Sequence, residues 1–168
     1  MREYLRPRLF EPLGIDFPFW ETDRNGIEAG GWGLYLKTED LAKFTLCYLK
    51  DGKYKGEQVI PKEWVRLATQ KQIDNEYNRP GSDSSFGYGY CFWLDHLGGF
   101  RADGMFSQFG IAFPEHNAVV VVTSSITVEQ DGLDGIFDFF PKAFIEADED
   151  TELNLAKPVT PALSEHPE

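Results

Sequence analysis

Residues 86–123 read FGYGYCFWLDHLGGFRADGMFSQFGIAFPEHNAVVVVT. Through Phe86, Tyr88, Tyr90, Phe92 and Leu94, large residues alternate with mostly smaller ones at a period of two, which predicts a strand. Gly87 and Gly89 fall on its other face, and glycine inside a strand pattern predicts close approach of another backbone. Leu97-Gly98-Gly99 supplies a turn. Phe100–Gly104 and Phe106–Phe113 predict one or two further strands, and 114–117 a turn. Ala118–Thr123 predicts a Val-rich, fully buried strand. Consecutive strands joined by short turns form an antiparallel meander.

Helical patterns flank this block. Downstream, Leu133, Ile136, Phe137, Phe140 and Phe144 keep helical spacing, with a kink expected at Pro141. Upstream, Leu41, Phe44, Thr45, Tyr48 and Leu49 give one mostly apolar helix face. Thr38 stands where an N-cap belongs, Glu39 and Asp40 put negative charge in the first turn, and Gly52 follows the last turn. A second helix is expected from Pro61 through Trp64, Val65 and Ala68 to about Gln70. Residues 2–10 predict a helix closed by Pro12-Leu13-Gly14-Ile15. Residues 16–31 and 71–85 predict loops, and Trp32 to Leu36 a short apolar run. Helices, then a meander, then a covering helix define an α+β class.

The chain has 168 residues with 28 Asp+Glu against 16 Lys+Arg, and its formal net charge of −12 argues against a dedicated binder of nucleic acid or anionic membrane, since phosphate contacts need a basic face. At 42% hydrophobic and 15% aromatic it can fill a core. No run of about 18 apolar residues exists to span a bilayer. Arg2, Glu3, Arg6, Arg8, Glu11 and Asp16 are too many charges for a signal-peptide core. The compartment stays open. From Glu146 onward there are seven acids, one Lys and three Pro, so about half the net charge sits there. The expected organisation is an ordered region over 1–147 and an acidic, disordered tail over 148–168. Cys47 and Cys91 fit neither a disulfide framework nor a zinc site and are expected as small buried hydrophobes.

The search for chemistry is mostly negative. No Ser is followed three residues on by Lys, no Tyr two residues on by Asn, and no G-x-S-x-G occurs. His96, His116 and His166 have no metal-ligand spacing and are expected at the surface. Gly30-Gly31-Trp32-Gly33 lacks the spacing of a phosphate loop. No metal and no cofactor is expected. The segment Arg101–Gly110 remains: its glycines fit either a simple bend or a backbone approach that offers N–H groups to an oxyanion. Phe100, Phe106, Tyr88 and Trp93 either line an apolar groove there or fill the core.

Several pieces, in order, resemble the C-terminal half of the serine beta-lactamase and penicillin-binding-protein superfamily, nearest its class C and esterase-like branch. Leu9-Phe10-Glu11-Pro12-Leu13-Gly14-Ile15 is similar to that family's F-x-P-L-G-M helix exit. Gly30 to Phe44 is similar to its G-G-x-x-x-T-x-x-D-L-A-x-F turn and helix. Leu49-x-x-Gly52, Gln58-x-Ile60-Pro61-x-x-Trp64 and Phe86-Gly87-Tyr88-Gly89-Tyr90 follow in family order. Ala102-Asp103-Gly104, then Ser107-Gln108, Pro114 and the valines, resembles "G-x-x-G-Q … P … V-V".

The resemblance implies an antiparallel sheet covered by helices, the C-terminal half of the beta-lactamase/transpeptidase-like fold. It implies acyl-serine hydrolysis of an ester, amide or beta-lactam. The family's S-x-x-K and Y-x-N lie upstream of the matched region and do not occur in these residues, so the chain has no catalytic residue of its own and is expected to be inactive alone. Its K-T-G or H-x-G strand matches Ala102-Asp103-Gly104, with Ala102 in the cationic position. The N–H of Met105 would be the oxyanion donor. Gln108 keeps its place, and Ser107 replaces a usual glycine. The family's N-terminal strands join the same sheet, so an unpaired edge, oligomerisation or a complementing N-terminal half is expected. The substrate would be a small acyl compound once completed. Two other readings stand beside this one: a non-catalytic binding module that retains the half-fold, and a self-sufficient enzyme using Ser107 or Ser85.

Overall fold

A computed structural model of the chain describes residues 1–77 and 80–144. The expected acidic tail over 148–168 lies outside the described residues. Among the described residues no helix is long and apolar enough to cross a membrane.

The N-terminal rod runs further than the sequence predicts. Helix α1 (Arg2–Leu5) continues through a π turn (Arg6–Phe10) into α2 (Glu11–Leu13). Pro12 does not close it: the rod continues through Pro12 from the preceding π turn, with φ and ψ helical at Phe10 and Glu11. Gly14 closes it with φ of 62°: its N–H reaches Glu11 O at 2.9 Å, and the Ile15 N–H reaches Phe10 O at 2.8 Å. That pair of bonds is a Schellman ending, and it turns Phe10, Leu13 and Ile15 into the core. The expected loop over 16–31 contains a strand, β1 (Phe19–Trp20), paired antiparallel with β2 (Leu34–Tyr35).

Helix α3 (Thr38–Leu49) falls where its apolar periodicity puts it. Thr38 is not its cap; the hydroxyl lies 2.8 Å from that of Thr123, so it ties the helix start to the end of the sheet. Asp40 is buried and paired with Lys43 at 2.6 Å. The helix leaves through Asp51 and Gly52, and a side chain on Gly52 would sit 2.0 Å from Ile60 O. A hairpin, β3 (Lys53–Tyr54) and β4 (Glu57–Gln58), precedes α4 (Lys62–Ala68).

The segment 86–94 is not one strand. A 3-10 turn occupies Asp83–Phe86, and positive φ at Gly87 (126°) and Cys91 (62°) breaks the run. Only β5 (Trp93–Leu94) joins the main sheet, while Tyr88 makes single bridges to Ile73 and Trp93. The expected close approach holds at Gly89, where a Cβ would meet Ala68 O at 2.1 Å. Cys91 is exposed, against expectation, because its left-handed backbone turns it outward; Cys47 is buried.

The main sheet has the order β5-β6-β7-β8, with β6 (Phe100–Gly104), β7 (Gln108–Phe113) and β8 (Ala118–Val122), antiparallel throughout. Alternation divides β6 between two faces. Phe100, Ala102 and Gly104 face α3. Arg101 and Asp103 stand opposite Ile111 and Phe109 and face α5 (Glu129–Phe139), whose Leu133 and Phe137 complete that second core. Close packing on the α3 side depends on Gly110, where a Cβ would lie 2.4 Å from Thr45 Oγ1. At Pro141 the last helix gives way to a 3-10 turn, the expected kink. β8 is half-buried rather than fully buried, because among the described residues it pairs only with β7.

Candidate functional site

The β6–β7 turn gathers the residues singled out from sequence. Ala102, Asp103 and Gly104 open onto a cleft of about 270 Å³ between sheet and α3, lined also by Leu34, Leu36, Leu41, Gln108 and Thr123. Its wall is largely apolar. Met105, at the tip, is 72% exposed. Phe106 and Ser107 both take left-handed backbone, φ 64° and 65°. Two such residues in sequence are the central pair of a tight hairpin turn, where Asn and Gly are favoured. Here the turn is imposed by its braces. The Phe106 N–H donates to Glu129 Oε1 at 3.1 Å, and Phe106 O accepts from Ser124 Oγ at 2.9 Å and Gln108 Nε2 at 3.2 Å. Gln108 Nε2 also donates to Ser124 O. Gln108 is therefore a clamp across the turn.

Ser107 is fully buried, and its hydroxyl has no hydrogen-bond partner. A substrate carbonyl cannot reach it. Ser85 Oγ donates to Ser82 O, and Ser84 Oγ accepts from Arg101 at 3.4 Å. The hydroxyls of Ser84, Ser85, Ser107 and Ser124 bond no histidine.

Asp103 borders both clefts, and its carboxylate turns to the face opposite Ala102 and Gly104. It accepts from Arg101 Nε at 2.9 Å, and Arg101 is fully buried. The three residues that read as one motif are thus split by strand alternation. Behind β6, a cleft of about 620 Å³ opens toward the start of α5, lined by Arg101, Asp103, Met105, Trp93, Ser82, Ser84, Glu129 and Gln130. Asp95 lies buried on the same side of the hairpin. Its Oδ1 accepts the N–H groups of Leu97 and Gly99, each at 2.9 Å. Burial pushes the Asp95 carboxyl above its ordinary range, opposed by those two bonds and by the Arg101 charge.

His96 is at the surface as expected, but it is not idle. Its Nδ1 lies 2.7 Å from Asp83 Oδ1, and Asp83 accepts from Gln130 Nε2 at 2.9 Å, so the pair ties the 80s loop to α5. Among the described residues no group of three or more His, Cys, Asp or Glu is placed to hold a metal. Arg101, Asp95 and the His96–Asp83 pair escape sequence reading. The one available signal was the i, i+2 spacing of Arg101 and Asp103 across from the apolar Ile111 and Phe109.

An antiparallel sheet with helices on both faces, and a cleft at a glycine-ended strand, defines an α+β architecture of the beta-lactamase-like kind. The family model described as Beta-lactamase matches residues 1–137, and the chain belongs to that family. An uncharacterized protein of Alkalihalophilus pseudofirmus is 26% identical over 118 residues, covering 62% of this chain and 33% of that protein. A Bacillus anthracis protein that bears the name 6-aminohexanoate-dimer hydrolase has a structure similar at TM-score 0.65 and 22% identity, covering 83% of this chain and 36% of that one. The chain therefore spans about a third of the length of these relatives.

Proposed function

We propose that the chain is the C-terminal portion of a serine hydrolase that cleaves a small ester, amide or beta-lactam through an acyl-serine. Its part is to supply the oxyanion strand. The observation that carries this reading is the end of β6: Ala102 and Gly104 open onto an apolar cleft, and Met105, the next residue, stands exposed at the hairpin tip on the rim of the larger cleft behind the strand. Backbone N–H groups held by a rigid hairpin suit a developing oxyanion, because they need no reorganisation during reaction. The nucleophile and its base would come from an N-terminal segment bearing S-x-x-K and Y-x-N, absent from these 168 residues. The chain alone is then inactive. Ala102 in the cationic position favours an uncharged acyl group over a carboxylate-bearing one. The Bacillus anthracis neighbour's name makes a linear amide a reasonable first amide substrate.

Turnover of a p-nitrophenyl ester and of a chromogenic cephalosporin should stay at the buffer rate for this chain alone. Joining an upstream segment with both motifs should restore ester or amide turnover. Met105→Pro, which removes the N–H, should then lower it by about 10²–10³-fold. Turnover by the chain alone that Ser107→Ala abolishes would overturn the proposal. So would full activity in the Met105→Pro protein.

A further inference from the structure

The β6–β7 turn is strained, and part of what holds it comes from outside the hairpin. Phe106 and Ser107 both carry a Cβ in left-handed backbone. That conformation costs free energy at each residue and persists only where the surroundings over-determine it. The braces converge on Phe106. Its carbonyl accepts from Gln108 within the hairpin and from Ser124 beyond β8. Its N–H donates to Glu129 Oε1 at 3.1 Å, across 23 residues of sequence.

The position of Glu129 is fixed in turn. It opens α5, an 11-residue helix whose N-cap residue, Val128, makes no side-chain cap. A helix N-terminus favours a carboxylate in its first turn, and a carboxylate accepts a stronger bond than a carbonyl does. The next residue, Gln130, anchors the same turn of helix elsewhere: its side chain donates to Asp83 Oδ2 at 2.9 Å and accepts the Asp83 N–H at 3.2 Å. Three residues on from Glu129, Gly132 lets α5 close on the hairpin, since a Cβ there would lie 3.4 Å from Ser107 Oγ. The start of α5 is thus pinned to the 80s loop and to the hairpin by its own side chains.

We infer that Glu129 is a positioning residue for the oxyanion donor: through the turn it braces, it sets the direction of the Met105 N–H. The inference rests on the reading of β6 as the oxyanion strand. The Met105 N–H lies between two fixed points. Before it, Gly104 is held in register with Gln108. After it, Phe106 is held by Glu129. Without the second point Phe106 leaves the left-handed region, Met105 turns with it, and the N–H no longer points at one place. Preorganised donors act because they need no reorganisation during reaction. Glu129 acts through the turn, so its loss falls on the chemical step rather than on substrate binding. Strain links the brace to Ser107: glycine adopts left-handed backbone freely, so a glycine there makes the turn depend less on Glu129.

In the 168-residue chain, the Phe106 amide should exchange with solvent about tenfold faster in Glu129→Ala than in the native protein, as one hydrogen bond is lost. Glu129→Gln keeps an oxygen to accept and should leave the amide protected. The chemical shift of the Ile111 amide on β7 should be unchanged in both, which shows the sheet intact. In the hydrolase completed by its upstream segment, Glu129→Ala should lower kcat about 10–100-fold with KM within about twofold, and Glu129→Gln should recover most of the loss. Adding Ser107→Gly should shrink the Glu129→Ala loss to about a few-fold, which a Glu129 that acts by touching substrate would not show. Unchanged Phe106 exchange in Glu129→Ala overturns the inference, and so does a loss confined to KM or one that Ser107→Gly leaves undiminished. Full activity in Glu129→Ala beside a crippled Met105→Pro overturns this inference alone. Full activity in Met105→Pro overturns the oxyanion reading on which it rests.

Discussion

The two faces of β6 are one residue apart in sequence and opposite in chemistry. Ala102 and Gly104 look toward α3 and line an apolar cleft with no cation. Arg101 and Asp103 look toward α5 and form a buried ion pair, with Asp95 on the same side. The contrast teaches that positioning and presentation are divided. The α5 face holds the strand with charges, and the α3 face carries apolar and small residues that pack under the helix and border the cleft. A buried ion pair stabilises little against an apolar equivalent, but it is expensive to break from one side.

The largest expected effect follows from that asymmetry. Arg101→Met removes the buried cation beside Asp103 and Asp95 and should cost about 3–5 kcal/mol in urea unfolding. Ala102→Ser, on the neighbouring residue but facing the cleft, should change stability by less than about 0.5 kcal/mol. Equal effects from the two would erase the distinction between faces.

Ser107 should respond in the opposite direction. It has a Cβ in left-handed backbone and a buried hydroxyl with no partner, both destabilising. Ser107→Gly relieves both, and even after the extra freedom glycine gives the unfolded chain it should stabilise by about 1–2 kcal/mol. Ser107→Ala removes only the hydroxyl and should recover part of that gain. A destabilised Ser107→Gly protein would mean that the hydroxyl has a partner in solution. A side chain on Gly132 of α5 would lie 3.4 Å from this hydroxyl, so that glycine leaves room for it.

Much of the architecture is legible in the sequence because long periodic segments have a single way to bury their apolar stripe. Leu41 to Leu49 and Leu133 to Phe140 read as helices, and Phe100 to Val122 reads as a meander. What escapes is short or set by distant contacts. β1, β2, β3 and β4 are two residues each, below any period. The break at Gly87 and Cys91 depends on Ala68 lying against Gly89. Pro12 misleads because the rod runs on through it and ends only at the left-handed Gly14. The valines of β8 look fully buried in a string of letters, yet burial on the open side depends on a neighbour that the string does not name. For the site, the match at Ala102–Gly104 finds the right hairpin. It cannot show that alternation sends Asp103 to the far face, nor that Arg101 waits there.

Asp95 gives the smallest and most discriminating effect on the face comparison. Its carboxyl titrates above the ordinary 3.8 because burial disfavours the charge. The folded state therefore holds this proton more tightly than the unfolded state does. The contribution of Asp95 to stability is fully present below the unfolded value and is lost as pH rises through the folded one. Asp95→Asn keeps an oxygen to accept from Leu97 and Gly99 and removes the titration. Measured by urea midpoint from acid to neutral pH, the variant should gain on the native protein as pH rises through that window, then run parallel to it above. If the variant instead loses ground as pH rises, the Arg101 charge outweighs burial. The α5 face would then be a true ion triad in which both carboxylates stay charged, and Arg101→Met should cost more than the pair alone predicts.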